Sequence, residues 1–390
     1  MQKKQRTKTF FLTGGGTGGH IYPCVSILNE LKNKGYQDIY YVGSSKNPEF
    51  TVISELGVPF LDVPVFGMPR KPDFKLLKWI LLLFVSVLKC LGYALKYRPD
   101  AVFATGGYVS APMVIVSNIL KIPYVMHDSD AHPGIVTRAF SGGAKAVNLA
   151  FHDANRFIKA KKITNFKNPV RDEFFKVSRE EARAGLGVLK NEFCILVMGG
   201  SQGARTVNEA AIGLIGHFKD DNGVKIIFQT GKKNYDDVKS KLDTLLGGKI
   251  PANAIVEPYF DKMYLPILAA DVVVSRAGSL SISEILAAKK PSILVPYPYA
   301  AANHQRMNAK EIEKLGAAIY IEDADLTADK LIETVEELMK SYEKLDALKN
   351  KAAGEITENP TFKILELLLD AAGAENNNAC DAENPLNSGV

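Results

Sequence analysis

Side chains that could move protons or hold anions gather in this chain beside glycine-rich turns. Thr13-Gly14-Gly15-Gly16-Thr17-Gly18-Gly19-His20 follows the apolar run Thr9-Phe10-Phe11-Leu12 and precedes Ile21 to Leu31, where apolar residues recur at helical spacing. Glycine lets a backbone turn tightly and approach a ligand, and a helix N-terminus offers unpaired N–H groups to an anion. His20 stands at the mouth of that helix. Histidine is the residue type most often used as a general base, which makes it a candidate for that role, with capping or packing as the plainer one.

Other clusters share this placement after a strand. Met198-Gly199-Gly200-Ser201-Gln202-Gly203 is a second glycine turn, again between an apolar run and a helix. Thr105-Gly106-Gly107-Tyr108 reads as a tight turn or a cleft wall. His127-Asp128-Ser129-Asp130-Ala131-His132 carries metal-ligand residue types without the spacing of a metal motif, so a polar cleft loop is the better reading. In Ser275 to Glu284, Ser279 or Ser281 could cap a helix and present N–H groups to phosphate. Glu284 would then reach ribose hydroxyls or supply favourable charge at the helix start. Asn303-His304-Gln305 opens another helix, with Asn303 as cap and the next two as partners for sugar hydroxyls.

Two nucleotide motifs fit poorly. Gly14, Gly16 and Gly19 match the dinucleotide fingerprint, but the second strand ends Tyr40-Tyr41-Val42-Gly43, without the acid that holds a ribose. No Gly-Lys-Ser/Thr follows either turn, which disfavours a P-loop.

The elements that must carry these clusters alternate. Strands are expected at 9–13, 38–42, 59–63, 100–105, 123–127 and 145–150, with helices at 21–34, 73–97, 110–120 and 152–160. A polar junction at 167–190 follows. A second set then has strands at 193–198, 224–229, 254–257, 271–275 and 291–296, with helices between them, and helical patterns close the chain at 326–340, 343–353 and 360–372. Alternation of this kind implies parallel sheets covered on both faces, with ligands beyond the carboxyl ends of the strands. The glycine turns sit at those ends. At 390 residues the chain suits two domains. These are 1–166 and 191–358, with 359–372 as a closing helix and 373–390 as a polar tail expected to be disordered.

Composition is that of a globular protein, 46% hydrophobic and 23% charged, with a formal net charge of +5. The basic residues are local: Lys3, Lys4, Arg6 and Lys8, then Arg70, Lys71, Lys75, Lys78, Lys89, Lys96 and Arg98 against one acid, Asp73. Such a segment points to an anionic surface. The four cysteines are scattered, which fits a reducing compartment and argues against a zinc site or disulfide framework. No secretory signal is visible. The uncharged run Trp79 to Leu88 is short of the ~20 apolar residues of a membrane-spanning helix. Phe74 to Leu95 therefore reads either as a buried helix or as an interfacial one, with Trp79 and Phe84 in the lipid boundary and lysines at headgroups.

Taken together, these segments resemble the MurG-type glycosyltransferases. The matching residues are Gly15 to His20 with Pro23, Gly106-Gly107-Tyr108-Val109-Ser110, Asn168-Pro169-Val170-Arg171, Gly199 to Arg205 with Asn208, Ser275 to Glu284, and Asn303-His304-Gln305 with Asn308. Any one is weak; their joint order over most of the chain is specific. The resemblance implies an α/β protein of GT-B fold, two Rossmann-like domains facing across a cleft, the last helix returning to the first. It implies inverting transfer of GlcNAc from UDP-GlcNAc to the 4-hydroxyl of undecaprenyl-pyrophosphoryl-MurNAc-pentapeptide, converting lipid I to lipid II without metal or cofactor.

By position, the resemblance places Thr17, Gly18, Gly19, Asp130, Arg171, Ser201, Phe260, Ser279, Leu280, Ser281, Ile282, Ser283, Glu284 and Gln305 at UDP-GlcNAc. It places Gly106, Gly107, Tyr108 and His127 at the acceptor. The implied partners are lipid I, anionic inner-leaflet lipids met by Lys75, Lys78, Trp79 and Phe84, and other cell-wall synthesis proteins, with no nucleic acid. The implied location is the cytoplasmic face of the cell membrane. Where the family usually reads His-Glu-Gln-Asn, this chain has His127-Asp128-Ser129-Asp130, so Asp130 competes with His20 as the base. Ala302 replaces a common aspartate. A diacylglycerol glycosyltransferase, a Rossmann oxidoreductase and a non-catalytic binding subunit are the rival readings.

Overall fold

The computed structural model describes residues 7–69, 74–200 and 202–374. Its first sheet has seven strands: β1 (Phe10–Thr13), β2 (Ile39–Gly43), β3 (Phe60–Asp62), β4 (Ala101–Ala104), β5 (Tyr124–Asp128), β6 (Ala146–Leu149) and β7 (Ile163–Thr164). They lie in the order β3-β2-β1-β4-β5-β6-β7. Every pair is parallel. The helices of this half are α1 (Gly18–Asn33), α2 (Pro48–Glu55), α3 (Phe74–Tyr97), α4 (Gly107–Leu120) and α5 (Ile135–Phe140). Two short helices lead out of it, α6 (Glu173–Lys176) and α7 (Arg179–Gly185).

The second sheet has β8 (Phe193–Met198), β9 (Val224–Gln229), β10 (Ala254–Glu257), β11 (Val272–Arg276), β12 (Ser292–Val295) and β13 (Ala318–Tyr320), in the order β10-β9-β8-β11-β12-β13. It too is parallel throughout. Its helices are α8 (Arg205–Phe218), α9 (Tyr235–Leu246), α10 (Tyr264–Ala269), α11 (Ser279–Ala287), α12 (His304–Lys314), α13 (Ala328–Lys340), α14 (Tyr342–Glu355) and α15 (Pro360–Ala372).

Strands such as Phe10-Phe11-Leu12-Thr13 are buried on both faces, which is why they read as unbroken apolar runs rather than alternating ones. Each sheet switches direction at its centre. Thr13 is registered with Ala104 across β1 and β4, and Met198 with Ser275 across β8 and β11. The chain therefore leaves the sheet side by side at Gly14 and Thr105, and again at Gly199 and, one residue further along its strand, Ala277. A topological switch point opens a crevice there. The four segments singled out for chemistry are paired by this register.

The last helix, α15, buries Ile364, Leu365, Leu368 and Leu369 against Phe10, Leu12, Ile27 and Leu28, the core of the first half. Pro360 in its first turn and a side-chain cap from Asn359 fix where it starts.

Several elements depart from expectation. The helix expected at 152–160 is a 3₁₀ turn, His152–Phe157. The polar segment 167–190 contains α6 and α7; a capping box between Ser178 and Glu181 starts α7, and Ala182 and Val188 enter the core of the second half. The short strands β7 and β13 were not anticipated, nor were α2 and α5. Arg70 and Ser201, Lys3, Lys4 and Arg6, and the tail from residue 375 lie outside the described residues.

Candidate active site

The first glycine turn carries His20 into the first turn of α1. Thr17, extended at φ −145°, is the N-cap residue, but its side chain makes no capping bond. Instead Thr17 Oγ1 lies 3.1 Å from His20 Nδ1. Pro23 has no N–H, so the Gly19 carbonyl lacks its helical donor. Ser129 Oγ supplies one at 2.9 Å, tying the loop after β5 to α1. The His20 ring lies against the Thr105–Gly107 turn. A Cβ on Gly107 would come within 2.8 Å of the Gly15 carbonyl and 3.1 Å of His20 Nδ1, and φ there is +70°. Only glycine meets both demands.

A cleft of about 930 Å³ opens between the two halves. Gly18, Gly19 and Tyr22 line it from the first half, and Arg171, Leu280, Ser281 and Glu284 face them. The N-cap residue of α11 is Gly278, and no side chain caps that helix, so neither Ser279 nor Ser281 does. The first-turn N–H groups are left to a ligand. Glu284 is half-buried one turn further on. Burial pushes its carboxyl up to about 7, and the Arg171 guanidinium pulls the other way. Arg171 Nη1 also donates to the Asp261 carbonyl at 3.2 Å.

A second pocket, about 490 Å³ and mainly apolar, adjoins His20. Gly107, Tyr108, Trp79, Leu83 and Ile135 line it. It leads toward α3, where only Ser86, Cys90 and Ala94 are buried. Phe74, Leu77, Leu81, Phe84 and Leu88 are at least half exposed. A contiguous exposed apolar face of this size marks an interaction surface. Among the described residues no helix is long and apolar enough to cross a membrane.

The halves are latched beside the cleft by α12. Asn308 Nδ2 donates to Asp130 Oδ1 at 2.9 Å, and Asn308 Oδ1 accepts from the Ala131 N–H at 2.8 Å. Glu311, one turn on, accepts from the His152 and Asp153 N–H groups at 2.7 and 3.1 Å.

Several residues proposed from sequence stand elsewhere than expected. His127 is fully buried; Nδ1 accepts from Asn148 Nδ2 at 2.9 Å and Nε2 meets Asn168 Oδ1 at 3.0 Å. Both nitrogens are spent, so His127 braces the loop and contacts no acceptor. Burial pulls its pKa down to about 4, which keeps the ring neutral. Ile282 lies in the core, and Ser283 Oγ is buried against Asn168 and the Ser279 carbonyl, because helical spacing turns them away from Ser281 and Glu284. Ser279 is buried too.

Trp79 does not point outward, since its Nε1 donates to the Phe66 carbonyl at 3.1 Å and its ring lines the apolar pocket. Lys75, Lys78 and Phe84 are exposed. Gln305 Oε1 accepts from Tyr297 N–H at 2.9 Å, and Phe260 N–H donates to Gln229 Oε1 at 2.9 Å. Asn303 caps nothing; it and Ala302 both lie in the left-handed region, at φ +55° and +50°. Gly106 turns at φ +83° before α4, and Gly107 and Tyr108 belong to that helix rather than to a loop.

Sequence reasoning missed Glu49. Its fully buried carboxylate lies under the first glycine turn, and only the helix-start pattern Asn47-Pro48-Glu49 signalled its place. It also gave Asn308 no task, although that residue stood inside a recognised segment.

Two sheets facing across a cleft, with a glycine turn on one wall, a bare helix N-terminus, an arginine and a glutamate on the other, and a histidine in the apolar pocket nearby, define a GT-B glycosyltransferase. Residues 10–149 match the N-terminal domain of glycosyltransferase family 28 and residues 194–362 its C-terminal domain. A relative from Carboxydothermus hydrogenoformans is 37% identical over 92% of this chain and 96% of its own. One from Halothermothrix orenii is 38% identical over 85% and 91%. Both bear the name UDP-N-acetylglucosamine--N-acetylmuramyl-(pentapeptide) pyrophosphoryl-undecaprenol N-acetylglucosamine transferase. Acinetobacter baumannii MurG has the same fold, with a TM-score of 0.74 at 23% identity over 93% of this chain and 99% of that one. The chain belongs to the MurG family of glycosyltransferases.

Proposed function

We propose that this protein moves N-acetylglucosamine from UDP-N-acetylglucosamine to the 4-hydroxyl of undecaprenyl-pyrophosphoryl-MurNAc-pentapeptide, the lipid I to lipid II step of peptidoglycan synthesis. The observation that carries the reading is the cleft that sets Gly18, Gly19 and the His20 turn opposite Arg171, Leu280, Ser281 and Glu284, in a chain of this family.

The nucleoside diphosphate of the donor lies at the N-terminus of α11 and Arg171, where fixed dipoles and a guanidinium stabilise the charge that grows on the leaving group. Glu284 takes the ribose hydroxyls. Phe260 flanks the uracil and Gln305 meets the sugar. The acceptor hydroxyl attacks the sugar's anomeric carbon as the bond to UDP breaks, with inversion. His20 takes the proton. With Thr17 Oγ1 accepting from Nδ1–H, the Nε2 lone pair is free for it. A positioned base of this kind contributes about 10²–10⁴-fold. Asp130 has one oxygen held by Asn308, which favours His20 over it as the base.

The acceptor is anchored in lipid, so the enzyme works at the inner face of the cell membrane. The exposed apolar face of α3 enters the lipid boundary there, with Lys75 and Lys78 among anionic headgroups.

Labelled UDP-GlcNAc offered with either a short-chain lipid I analogue or diacylglycerol tests the acceptor class. Product from the first alone is expected. Product from diacylglycerol alone would overturn the reading.

A further inference from the structure

The first glycine turn already holds an anion, and it belongs to the protein. Glu49, in the first turn of α2, is fully buried. Its Oε2 accepts from the Gly16 N–H at 3.1 Å. Its Oε1 accepts from Asn47 Nδ2 at 3.0 Å and from the Ser44 N–H at 3.3 Å. Three donors and no second acceptor suit a carboxylate, which accepts only. The fit is close: a Cβ on Gly15 would fall 2.5 Å from Glu49 Cδ.

Two paths run from this carboxylate to the acceptor side of the site. Through Gly15 and Gly16 it fixes the turn that presents Thr17, whose Oγ1 holds His20 Nδ1. Through Asn47, whose Nδ2 also meets Tyr108 Oη at 3.1 Å, it reaches the ring beside Gly16. A Cβ on Gly16 would come 3.1 Å from that ring, and Gly16 sits at φ +84°. The turn is thus clamped between Glu49 and Tyr108, and both His20 and Tyr108 line the apolar pocket.

We propose that Glu49 is a positioning residue for the acceptor half of the reaction, a built-in anion that takes the Gly16 N–H a substrate phosphate would otherwise claim and thereby sets His20 and Tyr108. With that N–H filled from within, the first turn does not serve as a second nucleotide site, and the donor is left to the second half of the chain. The inference rests on the proposed transfer reaction.

The test compares Glu49→Ala and Glu49→Gln with wild type in transfer to the lipid I analogue, with UDP-GlcNAc affinity measured by calorimetry on the same preparations. Glu49→Ala is expected to lower kcat/KM for the acceptor by about tenfold or more, the effect of leaving buried donors unpaired. Donor affinity stays unchanged, and added formate restores part of the rate by refilling the carboxylate seat. Glu49→Gln keeps the volume but brings an amide N–H₂ against donors, so it loses rate without loss of fold. If Glu49→Ala does not fold, Glu49→Gln decides. Wild-type acceptor kinetics in the variants, or an equal loss of donor affinity without formate rescue, overturns the inference. An inactive wild type removes the transfer reading and this inference with it; an active wild type matched by its variants removes this inference alone.

Discussion

Asn308 Nδ2 lies 2.9 Å from Asp130 Oδ1, so a side chain of the second half holds the carboxylate that ends the β5 loop of the first. The same amide bonds the Ala131 N–H and, at 3.2 Å, the Ala277 carbonyl. The acidic residue that departs from the family pattern is therefore part of a latch between the halves. Replacing Asn308 by Ala leaves the Ala131 N–H and the Ala277 carbonyl without this partner. We predict a loss of about 1–3 kcal/mol in urea unfolding. Asp130→Asn keeps an oxygen for Asn308 and is expected to unfold as wild type does.

His127→Ala strips partners from Asn148 and Asn168, both buried. Stability should fall by about 3 kcal/mol. Acid sensitivity should fall with it. The pKa of His127 drops from the ordinary 6.5 to about 4 on folding, so the unfolded chain binds the proton more tightly. Its stabilising effect is complete above pH 6.5 and is lost as the pH falls through that value toward 4. Urea midpoints measured from pH 7.5 down to 4 should slope less in the variant than in wild type.

Glu284 has the opposite sign. Its carboxyl rises from 4.5 to about 7, so the folded protein holds the proton more tightly. This contribution to stability is complete below pH 4.5 and is lost as the pH rises toward 7. Glu284→Gln should therefore gain stability relative to wild type between pH 5 and 8. It should lose UDP-GlcNAc affinity by about tenfold, the scale of one hydrogen bond to a charged group. Urea unfolding across this pH range checks the stability, and calorimetric titration checks the affinity: wild-type affinity should climb as Glu284 ionises, and the variant's should not.

Vesicle sedimentation tests the face of α3. Phe84 is 61% exposed and Leu81 57%. Burying such a side chain contributes about 1.5–3 kcal/mol. Phe84→Asp should therefore weaken binding to vesicles containing anionic phospholipid by tenfold or more, an order-of-magnitude figure from the same scale. Trp79→Phe, inside the pocket, should leave vesicle binding unchanged. Equal loss in both would place the tryptophan in the lipid after all.

Ala302 occupies the left-handed region at φ +50°, ψ 24°. Alanine costs roughly 1 kcal/mol there, and asparagine tolerates the conformation better. Ala302→Asn should raise thermal stability by about that amount, read as a higher melting temperature.

Much of this fold was legible because parallel strands are short apolar runs and the glycine turns that follow them are conspicuous. The placement of the glycine turns at the carboxyl ends of the strands followed from alternation; the strand order that sets two such turns side by side in each half did not, because alternation leaves the neighbours of each strand open. The misses have physical causes. The short strands β7 and β13 carry too few residues for a period to show. Helical phase turned Ile282 and Ser283 inward, which a motif read as a block conceals. Trp79 was assigned by type to the lipid boundary, yet its Nε1 found the Phe66 carbonyl. Glu49 is the hardest case: nothing local distinguishes a glutamate in a helix's first turn that faces water from one that folds beneath a neighbouring loop.

The most direct test of the central claim is transfer of labelled GlcNAc from UDP-GlcNAc to a short-chain lipid I analogue, without added divalent metal, by wild type, His20→Ala and Asp130→Asn. We predict product from wild type and from Asp130→Asn, and a fall of about 10²-fold or more for His20→Ala with donor affinity retained. Undiminished transfer by His20→Ala, or loss confined to Asp130→Asn, would contradict that claim.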